Sequence, residues 1–442
     1  MLNFLISLIM IPGAAFLLAR GQRSTAFTNA LILYGVFVAI GVAVTANTSI
    51  IGSDWMHPYL GGSDGEGYFE QAQILVQDGI TNFQALIRSN YLGYQLILAI
   101  LFLIFSPTLL TGLIANAIFL LLAITCLYRA TLLLTSSPKA AFLASLACML
   151  TTPHIFYSLV LLKEPALSLA FALILLSITK MFREDRVGVG AIAYAVVALG
   201  LIISMRATAL MFIVILFAFI GTQLLKKRAH LLIVFLGVLV VIAPFARQFT
   251  IYELDSNFLV SSVTENNVIT ARFGQGDLDL TGIAGQVIGY YILLPFAAKI
   301  LLFPIPAAVQ VLLPFDVWSS QFVDDLPATF FFRNLNILWF GIVLPWLLFA
   351  VLRIRQVTTP LLTRLLLAGL VYFLVIAVIY GGLIPRYGGQ ALFFIYPSIG
   401  YWWARSQREV AVANASTRFF LHYYATFAAA ALAYLALHFL RG

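Results

Sequence analysis

Residues 108–130 read TLLTGLIANAIFLLLAITCLYRA, and the first charge in the run is Arg129, next to its end. A helix needs about 20 predominantly apolar residues to cross the hydrocarbon of a bilayer, and this segment supplies them with its basic residue at one edge. That decides the fold class: an all-α polytopic membrane protein. Working outward, comparable runs fall at 2–19, 26–46, 139–157, 165–182, 188–205, 206–225 and 230–247. Four more follow at 329–352, 361–384, 387–404 and 418–440, which makes a bundle of 12 expected transmembrane helices.

Composition agrees with this reading along the whole chain. Hydrophobic residues make up 62% of the 442 and charged residues 10%, against about 25% charged in soluble domains. The mean hydropathy of +1.02 is too high, and too evenly spread, for an independent soluble domain. Cys126 and Cys148 both sit inside apolar runs, so neither a disulfide framework nor a metal site is suggested. The first twenty residues lack a basic start and a small-residue cleavage site, and read as a helix that stays.

Positive residues in short loops mark the cytoplasmic side of a membrane protein. Arg20 and Arg23, Arg129 with Lys139, Lys180 with Arg183 and Arg186, Lys226 to Arg228, Arg353 with Arg355, and Arg405 with Arg408 are such clusters. They account for most of the +8 net charge, so a nucleic-acid partner is not expected. Two apolar segments break the alternation. Counting 91–107 as a crossing would put Arg129 and Lys139 outside, so it is expected to lie in the interface or to dip in without crossing. The stretch 283–314, interrupted by Pro295, Pro304, Pro306 and Pro314, must contribute an even number of crossings. Irregular backbone at membrane depth is tolerated only inside protein or against a wet cavity. Two such segments therefore imply a cavity.

Three polar stretches then collect on the other side: 47–90, 158–164 and 248–282, joined by 315–328. The first runs through His57 to Gly61-Gly62-Ser63-Asp64-Gly65-Glu66-Gly67-Tyr68 and on to Glu70. Ser63 or Asp64 would cap a helix starting there. Equally, three carboxylates among glycines suit a general base or a metal site. The second contains Leu162-Lys163-Glu164-Pro165. Pro165 and Glu164 fit the first turn of a helix, which leaves Lys163 unexplained on a side where few positive charges are expected. Arg206 and Arg386 are similar exceptions. Each either snorkels to headgroups or converges with Lys163 on an anionic group, for which arginine's planar fork is suited. His154 lies at a helix end beside Pro153, and isolated histidines are usually structural. Arg247, Arg272, Asp277, Asp279, Asp324 and Asp325 read as ordinary loop charges.

Together these features resemble the GT-C superfamily of polyprenyl-phosphate-dependent glycosyltransferases, in particular its protein-mannosyltransferase-like and aminoarabinose-transferase-like members. The resemblance rests on four motifs in order: Asp64-x-x-x-Tyr68-x-x-x-Ala72, then Tyr91-Leu92-Gly93-Tyr94-Gln95, then Leu162-Lys163-Glu164-Pro165, and late in the chain Arg386-Tyr387 with Pro397. It covers residues 26–225 well and 329–404 loosely. The whole chain reads as a single membrane domain: a GT-C-like module over 26–225 with outer loop 47–107, and a variable helical module over 226–442 with outer loop 248–328. An extra helix at 2–19, the missing adjacent acidic pair and the lack of a large soluble C-terminal domain depart from the family. The last argues against a protein-glycosylating oligosaccharyltransferase.

The resemblance implies a sugar transferred from a polyprenyl phosphate or diphosphate to a glycan, lipid or polysaccharide acceptor, at the periplasmic face of a bacterial inner membrane. Asp64 would be the general base, with Glu66 beside it. Lys163, Arg206, Arg386 and Tyr387 would bind the donor phosphate, and Glu164, His57 and Tyr68 would orient the acceptor. Relatives differ in metal use, so a divalent cation such as Mg²⁺ or Mn²⁺ stays open. Two other readings are a Wzy-like polysaccharide polymerase or O-antigen ligase, and a flippase for a lipid-linked saccharide.

Overall fold

A computed structural model describes residues 2–22, 24–46, 64–79, 92–183, 188–206, 209–221, 298, 338–357, 359–380 and 389–441. Among the described residues the regular structure is helical and no strand occurs. The first nine helices are α1 Leu2–Ala19, α2 Thr25–Ala46, α3 Asp64–Asp78, α4 Leu92–Ile104, α5 Leu109–Thr135, α6 Pro138–Met149, α7 Thr152–Ser158, α8 Glu164–Arg183 and α9 Val189–Met205. Then come α10 Leu210–Gly221, a π-helical turn Trp339–Val343 leading into α11 Leu344–Leu352, and α12 Pro360–Tyr380, α13 Leu392–Ser406 and α14 Val410–Arg441. Three of these, α2, α5 and α8, are long and apolar enough to cross a membrane, and the α6–α7 pair makes a fourth if counted as one bent span. The chain is a membrane protein.

The segment 139–157, expected as one helix, is bent by 63° between α6 and α7. Pro153 has no N–H to offer Met149, four residues back, so the hydrogen-bond ladder fails there. Local bonds cover the break. Thr151 donates through its hydroxyl to Ala147 O at 2.8 Å, and that hydroxyl accepts from Tyr396 at 2.8 Å.

Packing of the spans uses small residues, which let helices approach closely where lipid offers no hydrophobic drive. On α13, a Cβ at Gly400 would run into the backbone of Ala140 and Ala144 on α6. On α2, a Cβ at Gly35 would lie 2.9 Å from Ala15 of α1. An aromatic cluster of Phe171, Phe212, Tyr372 and Phe394 joins α8, α10, α12 and α13, with centroid separations of 4.6–5.1 Å from Phe212 to the other three. All four are buried in one continuous core.

The bundle has two chemically different ends. At one, Gln22 accepts from Arg129 at 2.9 Å with its amide oxygen turned toward the guanidinium. There Arg183 donates to Leu133 O and Ser136 Oγ, each at 2.7 Å, and Arg364 donates to Phe219 O at 3.1 Å. The other end holds the start of α5, the start of α8 and the end of α9. Helix α4 belongs wholly to this second end. Tyr94, near its start, is level with Asn116, which lies only about 10 Å along α5 from that helix's own beginning. With 13 residues, α4 spans about 20 Å and returns toward the α5 start.

Candidate functional site

The site grows from an irregular strap between α7 and α8. Leu159, Val160, Leu161 and Leu162 are all buried, 0–3% exposed, although the strap is not helical. Two glycines make room for it. A Cβ at Gly41 of α2 would stand 2.7 Å from the Leu159 side chain, and one at Gly112 of α5 would overlap Leu161. A buried, non-helical backbone must still place its carbonyls. Asn116 does this, its side-chain amide donating to Val160 O at 2.8 Å and Leu162 O at 2.9 Å.

The strap delivers two charges into the protein. Lys163 is 2% exposed and Glu164 is 1% exposed. Lys163 Nζ donates to Met205 O at 2.8 Å, the last carbonyl of α9, where the helix dipole favours a cation. Glu164, in the first turn of α8, accepts from Arg206 Nη2 at 2.9 Å. Arg206 caps α9 in an extended conformation (φ −158°) and is 5% exposed. It therefore does not snorkel to headgroups. The trio thus sets two cationic side chains and one carboxylate inside the protein.

Helix α3 lies on this trio. Tyr68, Ala72 and Leu75, four and three residues apart, form its buried face. The Tyr68 ring sits 5.9 Å from Lys163 Nζ, within cation–π reach, and meets Tyr94 edge-on at 5.3 Å. Tyr94 in turn donates its hydroxyl to Asn116 Oδ1 at 2.9 Å. Helix α4 approaches α9 so closely that a Cβ at Gly93 would overlap Ser204. Next to it, Gln95 is buried, and its Oε1 meets no hydrogen-bond partner among the described residues. Asp64 is the first residue of α3, one helical turn before Tyr68, while Glu66 and Glu70 are exposed on that helix.

No known protein family, curated protein or solved structure matches this chain.

The cluster thus gathers Tyr68, Tyr94, Lys163, Glu164 and Arg206, with the Asp64 position one turn away. His57, Arg386 and Tyr387 lie outside the described residues. So do Ser63, Arg247, Arg272, Asp277, Asp279, Asp324 and Asp325, and the proline-broken stretch 283–314, expected to make an even number of crossings, apart from Ala298. His154 stands apart from the trio, its ring 5.2 Å from Phe393 and 6.0 Å from Tyr396. Among the described residues no three His, Cys, Asp or Glu side chains assemble as a metal-ligand set. An apolar opening lined by Ile174, Met181, Leu199 and Phe217 lies toward the other end of the bundle and contains none of these groups.

Asn116 escaped the reading of the sequence. Its signal is a lone amide within a long apolar helix, since polar groups inside a membrane need partners and are commonly functional. Fixed cations act strongly on an anionic group where water is excluded; Lys163 and Arg206 are such cations, and Glu164 holds Arg206.

Proposed function

We propose that the chain is a membrane glycosyltransferase of the GT-C type, with about 12 transmembrane helices in the bacterial inner membrane and its site at the periplasmic face. Its donor is a sugar on a polyprenyl phosphate or diphosphate, and its acceptor a hydroxyl of a glycan, lipid or polysaccharide. One observation carries this reading: segments 64–72, 91–95 and 162–165, far apart in sequence, meet through Tyr68, Tyr94 and Lys163. Those are three of the four motifs on which the resemblance rests.

In the reaction, the acceptor oxygen attacks the anomeric carbon as the bond from that carbon to the phosphate oxygen breaks. Asp64 takes the acceptor proton, an effect worth about 10²–10⁴-fold in rate. The lipid phosphate departs with its charge held by Lys163 and Arg206, joined by Arg386 and Tyr387. Glu164 keeps Arg206 in place, and Glu66, His57 and Tyr68 orient the acceptor.

The test is transfer of radiolabelled sugar from a panel of polyprenyl-linked donors by purified protein in lipid, comparing wild type with Asp64→Asn. Transfer by wild type and its loss in the folded variant are expected. Full turnover in Asp64→Asn would move the base elsewhere, and dependence on the arginines without Asp64 would favour a polymerase or ligase. A flippase is the second reading, favoured by the 63° break between α6 and α7, since transporters build their sites on broken helices. Lipid movement between leaflets without sugar transfer would decide for it.

A further inference from the structure

We infer that Asn116, which contacts no substrate in this reading, is the positioning residue that sets where Lys163 and Tyr68 stand; as a statement about rate, the inference rests on the proposed glycosyl transfer. Its side chain is 0% exposed, and both amide hydrogens are committed, to Val160 O at 2.8 Å and Leu162 O at 2.9 Å. Its oxygen accepts from Tyr94 at 2.9 Å. These bonds close a ring of contacts. Asn116 holds Tyr94, whose ring meets Tyr68 at 5.3 Å; Tyr68 covers Lys163 at 5.9 Å; and Lys163 directly follows Leu162, whose carbonyl returns to Asn116.

The ring joins four segments, α3, α4, the strap and α5, through polar and aromatic contacts that add direction to the apolar packing of Gly112 against Leu161 and Leu98. Position 116 reaches both α4 and the strap from α5 by hydrogen bonds. The side chain must offer two donors to the strap and one acceptor to a phenol, which asparagine matches in size and polarity and leucine does not. A shift of the strap moves Lys163 against the reacting phosphate, and a misplacement of about 1 Å lowers the rate by about 100-fold.

Two variants separate the arms. Asn116→Leu keeps the branching at Cγ but sheds all three bonds, while Tyr94→Phe removes only the link to α4. In purified protein in lipid, Asn116→Leu is expected to lower kcat by about 100-fold with donor KM within about threefold, and to raise amide exchange selectively over 159–163. Tyr94→Phe is expected to lower kcat with exchange at 159–163 unchanged. The inference is overturned if Asn116→Leu leaves protection at 159–163 intact, if its rate falls only in proportion to the folded fraction, or if Tyr94→Phe turns over like wild type. Should wild type transfer no sugar from any donor, the proposed function falls, and exchange at 159–163 alone decides on Asn116.

Discussion

Removing Glu164 leaves Arg206 buried at 5% exposure with its carboxylate partner gone. Breaking a buried ion pair from one side is costly, about 3–5 kcal/mol, because a charge taken out of water loses its partner. Glu164→Ala is therefore expected to lower the thermal midpoint of the purified protein sharply, and Glu164→Ala with Arg206→Met to recover part of the loss. Equal midpoints for the single variant and wild type would contradict the pairing. Lys163 is a separate case, since its Nζ also caps α9 through Met205 O at 2.8 Å. Lys163→Met should reduce sugar transfer by about 10²–10³-fold, the usual effect of deleting one charge-stabilising donor, and a loss below fivefold in kinetic assays would remove Lys163 from the phosphate site. Lys163 and Arg206 stood out in the sequence because positive charges are few on the side where they were expected, whereas Glu164 also fitted an ordinary helix start. Asn116 did not stand out, since two of its partners are main-chain carbonyls 44 and 46 residues away, and carbonyls carry no sequence signature.

Helices were legible where apolar length alone decides them, as in α1, α2, α5 and α8. The breaks were harder to read, because they depend on single backbone groups. The α6–α7 bend follows from one missing N–H at Pro153, and the π-turn Trp339–Val343 stands before Pro345, whose missing N–H leaves Gly341 O to another donor. There Tyr423 and Tyr424 of α14 donate to Phe340 O and Gly341 O at 2.8 and 2.5 Å. A π-turn widens the helix and misaligns its carbonyls, and the two phenols satisfy them. The double variant Tyr423→Phe with Tyr424→Phe should weaken the docking of α14. Faster proteolysis or exchange confined to α14 and 338–344 is the expected signature, and unchanged protection there would count against the bonds. Exposed π-turn carbonyls in a membrane have no water to replace them, which is why a loss of only two hydroxyls should be visible.

At the scale of the molecule, the question is how many times the chain crosses between its two ends. Basic residues pointed to α4 as a segment that does not cross, and the packing gives a reason independent of charge. Tyr94 reaches α5 at Asn116, about 10 Å from the α5 start, whereas α5 itself runs about 40 Å. One crossing then separates Glu70, exposed on α3, from Ser136, the left-handed cap of α5 at φ 53° that binds Arg183. If α4 crossed as well, two crossings would separate them and both would face the same side. Single cysteines at Glu70 and Ser136, in a background with Cys126 and Cys148 replaced by alanine, turn this into a measurement on sealed vesicles. An impermeant maleimide should label the two positions from opposite sides. Labelling from the same side would make α4 a transmembrane helix and would invert every segment after it. Lys163 and Arg206 would then face the compartment opposite Asp64, and the cluster built on Tyr68 and Tyr94 could not form. The parity of one 13-residue helix thus decides whether base and cations share an active site at all.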